Sequence, residues 1–260
     1  LSLKGSYRQK HLTKNPGFDL GAKEKNISIQ ITEEQRFAFE SGKVLLIDKP
    51  LHWTSFDVVR KIRGIIRIKK VGHAGTLDPL ATGLLIVCTG KFTKKINEYM
   101  AKEKEYTGSF VLGAVTSTYD LESEPGDFKE YAHINHHSLE DAVQKLTGHI
   151  RQFPPIYSAI KKKGTPLYEL ARRGEEVELE ARNVFIKSFE ITCIDLPRVD
   201  FKIVCSTGTY IRSVANDFGK LIGCGAYLSS LRRTRIGDFS VDGASSLDEF
   251  IKREFGIDPV

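Results

Sequence analysis

Residues 72–83 read Gly72-His73-Ala74-Gly75-Thr76-Leu77-Asp78-Pro79-Leu80-Ala81-Thr82-Gly83 and run straight into the apolar segment 84–88. Pro79 biases Asp78 away from helical geometry towards an extended conformation. The flanking glycines permit another backbone to come close. The stretch therefore predicts a glycine-rich loop that leads into a buried strand and carries one carboxylate.

That carboxylate stands alone. Residues 58–97 contain nine Lys and Arg (Arg60, Lys61, Arg63, Arg67, Lys69, Lys70, Lys91, Lys94, Lys95) and a single acid, Asp78. This local excess of +8 exceeds the +6 of the whole 260-residue chain, so everything else sums to −2. A carboxylate in a positive field favours its ionised form, which suits a base or nucleophile better than an acid. The competing local reading is that Asp78 caps the next element and the glycines only shape a turn. A P-loop does not fit: six residues separate Gly83 from Gly90, and Phe92 stands where a magnesium-binding Ser or Thr is needed.

Upstream, residues 44–47 read as a strand ending at Asp48-Lys49-Pro50. Ser55 is then the expected N-cap of a helix carrying Phe56, Val59, Ile62 and Ile66. Downstream, Tyr106, Gly108, Phe110 and Leu112 share one face of an alternating strand. Residues 119–142 hold seven acids and one base and read as a solvated loop. Ser138-x-x-Asp141 reads as a capping box for a helix closed by Gly148. Thr165-Pro166 opens a short helix that stops at Gly174. Residues 177–194 and 199–205 predict antiparallel strands around Pro197. A helix over 210–221, a strand over 227–239 and a last helix from Ser246 follow. Without a regular βαβ rhythm the class is α+β. Residues 1–36 are expected to be a flexible N-terminal extension and 37–260 one domain.

Composition sets outer limits. Hydrophobic residues at 40% and charged residues at 28% are ordinary for a globular chain. No apolar run approaches bilayer length and the N-terminus lacks an apolar signal core, so a cytoplasmic location without membrane contact is expected. Cys88, Cys193, Cys205 and Cys224 form no CxxC pair and read as buried free thiols. The seven histidines show no ligand spacing, so no metal is expected.

Two further constellations are open to more than one reading. Residues 205–213 pass from a strand into a helix N-terminus. There Arg212 is a surface side chain, a partner for a distant carboxylate, or part of a phosphate site. Residues 228–235 place Leu231 and Arg233 on one face and Arg232 on the other, and arginines in strands are usually solvated. With Arg151, 161–163 and 172–173 they extend the basic surface. Tyr157, Tyr168 and Tyr210 lie among them, able to stack on bases or pack in a core.

Together, KVLLIDKP (43–50), GHAGTLDPLATGLLIVCTGKFTKK (72–95), Lys104-Glu105-Tyr106, IYSA (156–159), CSTGTYIR (205–212) and GCGAYLSSLRR (223–233) closely resemble the TruB family of tRNA pseudouridine synthases. The match runs in order from about Ser41 to Phe239. It implies a pseudouridine synthase fold, with a central mixed, mostly antiparallel sheet, flanking helices and a catalytic cleft. It implies isomerisation of uridine 55 in the T-arm of tRNA without cofactor or metal. By the family's pattern Asp78 is the essential carboxylate, either attacking C1′ or removing the C2′ proton, and Arg212 is its partner. Tyr106 stacks on the uracil, with its hydroxyl a candidate for proton transfer at C5. Tyr210 and Leu231 line the base pocket, and His73 supports the T-loop once the uridine is flipped. Lys49 and Pro50 pack beneath the active-site loop.

Longer members carry a C-terminal PUA domain that touches the acceptor end of tRNA. Here 29 residues follow Leu231, so recognition through the T-arm alone is expected. A monomer without an obligatory protein partner is expected for the same reason. Two alternatives are an RNA-binding or tRNA-folding module with secondary catalysis, and a pseudouridine synthase acting on another RNA.

Overall fold

The structure, a computed structural model, describes residues 29–258 apart from 159, 163, 176 and 178. Most of the expected N-terminal extension, and the expected basic position Lys163, lie outside the described residues. Residues 31–260 form one compact unit.

The chain begins with α1 (Glu33–Ser41), whose Thr32 cap and Gln35 form a capping box. Strand β1 (Val44–Lys49) alternates, burying Leu45, Ile47 and Lys49. Helix α2 (Ser55–Ile66), β2 (Val71–His73) and β3 (Ala81–Thr89) follow. After a 3₁₀ turn come α3 (Ile96–Ala101) and β4 (Lys104–Leu112). Next are α4 (His136–Lys145), β5 (Gly148–Gln152), the two-residue strands β6 (Lys161–Lys162) and β7 (Thr165–Pro166), and α5 (Leu167–Arg172). Strands β8 (Arg182–Asp195) and β9 (Arg198–Cys205) form a long hairpin across Pro197. The remainder is α6 (Ile211–Leu221), β10 (Ala226–Ile236), β11 (Phe239–Ser240) and α7 (Leu247–Phe255).

The main sheet runs β1-β3-β10-β4-β9-β8-β5, with β2 on β3 and β11 on β10. Every pairing is antiparallel except β3 with β10. The α+β class with a mixed, mostly antiparallel sheet is thus the observed one. Strand β3 is buried along nearly its whole length, which matches its unbroken apolar reading. Leu139 and Ala142 of α4 and Val214, Ala215 and Phe218 of α6 cover one face of β4, β9 and β8. Phe110 and Phe201 stack there with centroids 4.2 Å apart, and Phe189 and Phe218 close around them. Truncating a ring such as Phe110, fully buried, costs about 3–5 kcal/mol.

This topology places the functional stretch. Parallel pairing sets Leu231 beside Ala81 and Arg233 beside Gly83, so the loop before β3 lies against the middle of β10. On the other flank of β10, Arg233 pairs with Tyr106. Antiparallel pairing of β4 with β9 sets Lys104 beside Cys205, just before the turn into α6. Asp78, Tyr106, Leu231 and the start of α6 therefore converge although they are far apart in the chain.

Several local readings are corrected. Thr54, one residue before Ser55, caps α2, because Asp57 three residues on completes its capping box. The box at α4 is Asn135 with Ser138, not Ser138 with Asp141. Cys193 is exposed, since it lies near the hairpin end of β8, and the other three thiols are buried. The loop over 119–142 is not wholly solvated: Asp120 forms a bridge with Leu228 of β10 and is 3% exposed. Among the described residues no helix is long and apolar enough to cross a membrane.

Candidate active site

Asp78 and Arg212 meet at the floor of a cleft of about 280 Å³. Arg212 Nε lies 2.9 Å from Asp78 Oδ2, and Nη2 donates to Oδ1 at 3.2 Å. The guanidinium is almost wholly buried while the carboxylate keeps 35% of its side-chain surface open to the cleft. The rest of Arg212 is satisfied by main chain: Nη1 donates to the Thr118 carbonyl at 3.2 Å and Nη2 to the Tyr157 carbonyl at 3.0 Å. Asp120 Oδ2 lies 3.6 Å from the same Nε, and its own side chain is 5% exposed. A buried guanidinium left without a carboxylate would cost several kcal/mol, so the two acids hold Arg212 in place as it holds them.

The loop bearing Asp78 is tied down on both sides. Ser55, displaced from the capping position, exchanges two bonds with Leu77: its Oγ donates to the Leu77 carbonyl at 3.2 Å and accepts the Leu77 N–H at 2.8 Å. Lys49, fully buried, donates to the carbonyls of Pro50 (2.8 Å), Trp53 (2.6 Å) and Pro79 (3.5 Å). Burial lowers its pKa to about 8, with Asp78 pulling the other way. Arg233, 1% exposed, departs from the expected solvated strand arginine. Its Nε donates to the Leu84 carbonyl at 2.8 Å, and its Nη1 and Nη2 to Thr76 (3.5 Å) and Gly75 (3.1 Å). Two buried cations thus hold six carbonyls, four of them (Gly75, Thr76, Pro79 and Leu84) in the Asp78 loop and its flanks. Arg232, on the other face, forks onto Asp48 at 3.0 and 2.6 Å.

Tyr106, Tyr210 and Leu231 line the same cleft. Burial raises the Tyr106 hydroxyl above its ordinary pKa, against the pull of the neighbouring Arg233, so the ring is a neutral phenol at physiological pH. Burial raises Tyr210 as well. Lys104, two residues before Tyr106 and on the same face, also lines the cleft. Burial lowers its pKa to about 8, and its Nζ donates to the Met100 carbonyl.

Five of the six residues singled out in the sequence are therefore together: Asp78, Arg212, Tyr106, Tyr210 and Leu231. His73 is not among the cleft walls. It sits at the end of β2, half-buried, with its Nδ1 lacking a hydrogen-bond partner among the described residues. Burial, and then the charge of Arg233, lower its pKa, which keeps the imidazole neutral. Sequence reading missed Asp120, Lys104 and Gln152. Lys104 had a signal in the Lys-x-Tyr alternation, whereas Asp120 was one acid among seven in its segment.

A cleft lined by two tyrosines, leucines and isoleucine beside hydroxyls, buried cations and one open carboxylate suits a planar base joined to a polar sugar. Residues 63–211 match the family described as TruB family pseudouridylate synthase (N terminal domain). Residues 212–254 match the tRNA pseudouridylate synthase B C-terminal domain. The chain is 54% identical over 216 residues to a protein of Flavobacterium johnsoniae named tRNA pseudouridine synthase B, covering 80% of this chain and 94% of that one. A protein of the same name from Phocaeicola vulgatus is 47% identical over 219 residues, covering 82% and 93%. Among solved structures, a chain from the crystal structure of a Cbf5-Nop10-Gar1 complex superposes with a TM-score of 0.64 at 28% identity. That match covers 90% of this chain and 63% of the other, so this chain spans about three fifths of it. With the site in this geometry and the family match running through both of its halves, the chain belongs to the TruB family of pseudouridylate synthases.

Proposed function

We propose that this chain isomerises uridine 55 in the T-arm of tRNA, with Asp78 as the reacting carboxylate. The observation that carries this reading is the Asp78–Arg212 pair, in which the arginine is buried and the carboxylate faces the cleft. The names of the two bacterial relatives support tRNA as the substrate class.

The reaction breaks N1–C1′, turns the uracil over and forms C5–C1′. The C5 proton then leaves and N1 gains one, so product and substrate have the same atoms. Asp78 acts at the sugar, either by bonding to C1′ or by taking the C2′ proton, and both routes need the carboxylate to stay paired with Arg212. Tyr106 stacks on the base, and its hydroxyl takes the C5 proton while releasing its own to solvent, from which N1 gains one, so the phenol is neutral before and after. Tyr210 and Leu231 hold the other walls as the base turns. His73, outside the cleft, supports the T-loop after the uridine leaves it. Flipping costs a few kcal/mol as an order of magnitude, about what stacking between two aromatic rings returns.

The catalytic domain takes in α1 whole, so its boundary lies before Glu33 and not at the 36/37 position expected from the sequence. The protein works as a monomer in the cytoplasm, needing no protein partner. The test is to incubate wild type, Asp78→Asn and Asp78→Ala with a T-arm stem-loop and with whole tRNA, and to map pseudouridine. Loss of modification at uridine 55 is expected in both variants. A near wild-type rate in Asp78→Asn would remove Asp78 from the chemistry.

A further inference from the structure

The first turn of α6 carries Tyr210 at its N-cap and Arg212 two residues later, yet no side chain of the helix caps it. The N-cap residue is instead held from another strand. Gln152, the last residue of β5, is 2% exposed and lies against the main chain of Tyr210. The Tyr210 N–H donates to Gln152 Oε1 at 2.8 Å, and Gln152 Nε2 donates to the Tyr210 carbonyl at 3.1 Å. One carboxamide thus bonds both polar groups of the residue where the turn becomes helix, the Tyr210 carbonyl also accepting from the Val214 N–H at 3.1 Å. The segment after it reinforces the joint: Ser213 Oγ donates to the Phe153 carbonyl at 2.8 Å, and Arg212 Nη2 to the Tyr157 carbonyl.

We propose that Gln152 is a positioning residue for the isomerisation. By fixing the Tyr210 main chain it sets the Tyr210 ring against the base pocket and the Arg212 guanidinium against Asp78. The inference rests on the reading of Asp78 and Arg212 given above. The residue type follows from the geometry. A donor and an acceptor must lie side by side at this reach, which glutamine supplies. Asparagine is one methylene short, ionised glutamate lacks the donor, and methionine has the length with neither group.

The experiment uses the full chain and whole tRNA under single-turnover conditions. Gln152→Met should lower the rate about 10- to 100-fold, the cost of small misplacement at a reacting centre, while tRNA affinity changes less than about threefold. In an Arg212→Lys background the same substitution should cost less, because a guanidinium already removed cannot be misplaced and only the shift of the Tyr210 ring remains. Gln152→Glu regains a donor only when protonated, so its rate relative to wild type should climb as pH falls. A near wild-type rate in Gln152→Met overturns the proposal. So does an equal loss in both backgrounds, or a loss confined to tRNA affinity. Should Gln152→Met fail to fold, a pH-independent rate ratio for Gln152→Glu overturns it instead. Failure of the underlying site reading shows separately, as retained activity in Asp78→Asn.

Discussion

Arg212 and Asp78 are 134 positions apart in the chain, yet their side chains meet at 2.9 Å. Neither comes from a segment that could place it alone. Asp78 is delivered by a loop whose carbonyls are held by Lys49 and Arg233, and Arg212 by a helix turn held from β5. The pair is the product of the sheet order, in which β10 separates β3, the strand after Asp78, from β4, the strand that carries Tyr106.

Asp120 should tune that pair. Its carboxylate reaches the same Nε at 3.6 Å and is itself buried. Asp120→Asn keeps the volume and removes the charge, leaving Arg212 with one anionic partner. The expected result is a single-turnover rate reduced about 10- to 100-fold with tRNA affinity nearly unchanged. A wild-type rate in Asp120→Asn, measured by tritium release from C5-labelled tRNA, would show that Asp120 only packs.

Gly83→Ala should unfold the site from beneath. Gly83 has φ +103°, and a Cβ there would stand 2.3 Å from the Arg233 carbonyl oxygen, where β3 and β10 run parallel. Backbone of two central strands cannot retreat as a flexible side chain can, and the left-handed conformation adds its own strain. A loss of about 3 kcal/mol or more in a urea titration is expected, in the range of severe core defects. A change under 1 kcal/mol would mean the strands can separate there at little cost.

The sequence made the strands and helices of the catalytic half readable because their burial patterns are local. Alternation at Tyr106, Phe110 and Leu112 and the unbroken apolar run of β3 both survive in the structure. What stayed hidden depends on pairing between distant segments. Asp120 reads as one more solvated acid until Leu228 N–H bonds to the Tyr119 carbonyl and draws the loop onto β10. Arg233 reads as an exposed strand arginine until three carbonyls of other strands and loops surround it. Gln152 gave no signal, since a polar residue ending a five-residue strand is ordinary until its partner is known. The tyrosines and Asp78 were found by resemblance, because local features left Asp78 open to a capping role.

Reversing Lys69 and Lys70 should weaken binding without touching the chemistry. Both are exposed, as are Lys91, Lys94 and Lys95. The Gly90 N–H bonds to the Lys70 carbonyl, which gathers these lysines at the Thr89 end of β3. Asp78 lies before the opposite end, about 26 Å away for a nine-residue strand at about 3.3 Å per residue. On the proposed function these lysines are expected to meet phosphates distant from the flipped base. Lys69→Glu with Lys70→Glu should raise KM for tRNA roughly tenfold or more and leave the saturated rate within about twofold. The plot of log affinity against log salt should flatten by roughly one to two, as expected when one or two phosphate contacts are lost. An unchanged salt slope would place the RNA on another face.

Stability should rise between pH 8 and pH 9, by more than the fading of its net positive charge alone would bring. Folding lowers Lys49 and Lys104 from 10.5 to about 8, so between those values the unfolded chain binds more protons than the folded one. Stability then increases with pH, by about 1 kcal/mol per lysine over this unit. Cys88 and Cys205 act in the opposite sense. Burial raises them from 9.0 to about 11, so above pH 9 the folded chain holds protons that the unfolded one has lost, and stability falls. Between pH 8 and pH 9 the unfolded thiols go from about a tenth to about half ionised, which takes back about 0.7 kcal/mol for the two, and the lysines still win by about 1 kcal/mol. Above pH 10 the buried tyrosines join the thiols, and the curve turns down. Urea midpoints followed by fluorescence of the single Trp53 should show the rise in wild type and a much smaller one in Lys104→Met. An equal rise in both proteins would mean that the Lys104 ammonium is not desolvated beside the cleft.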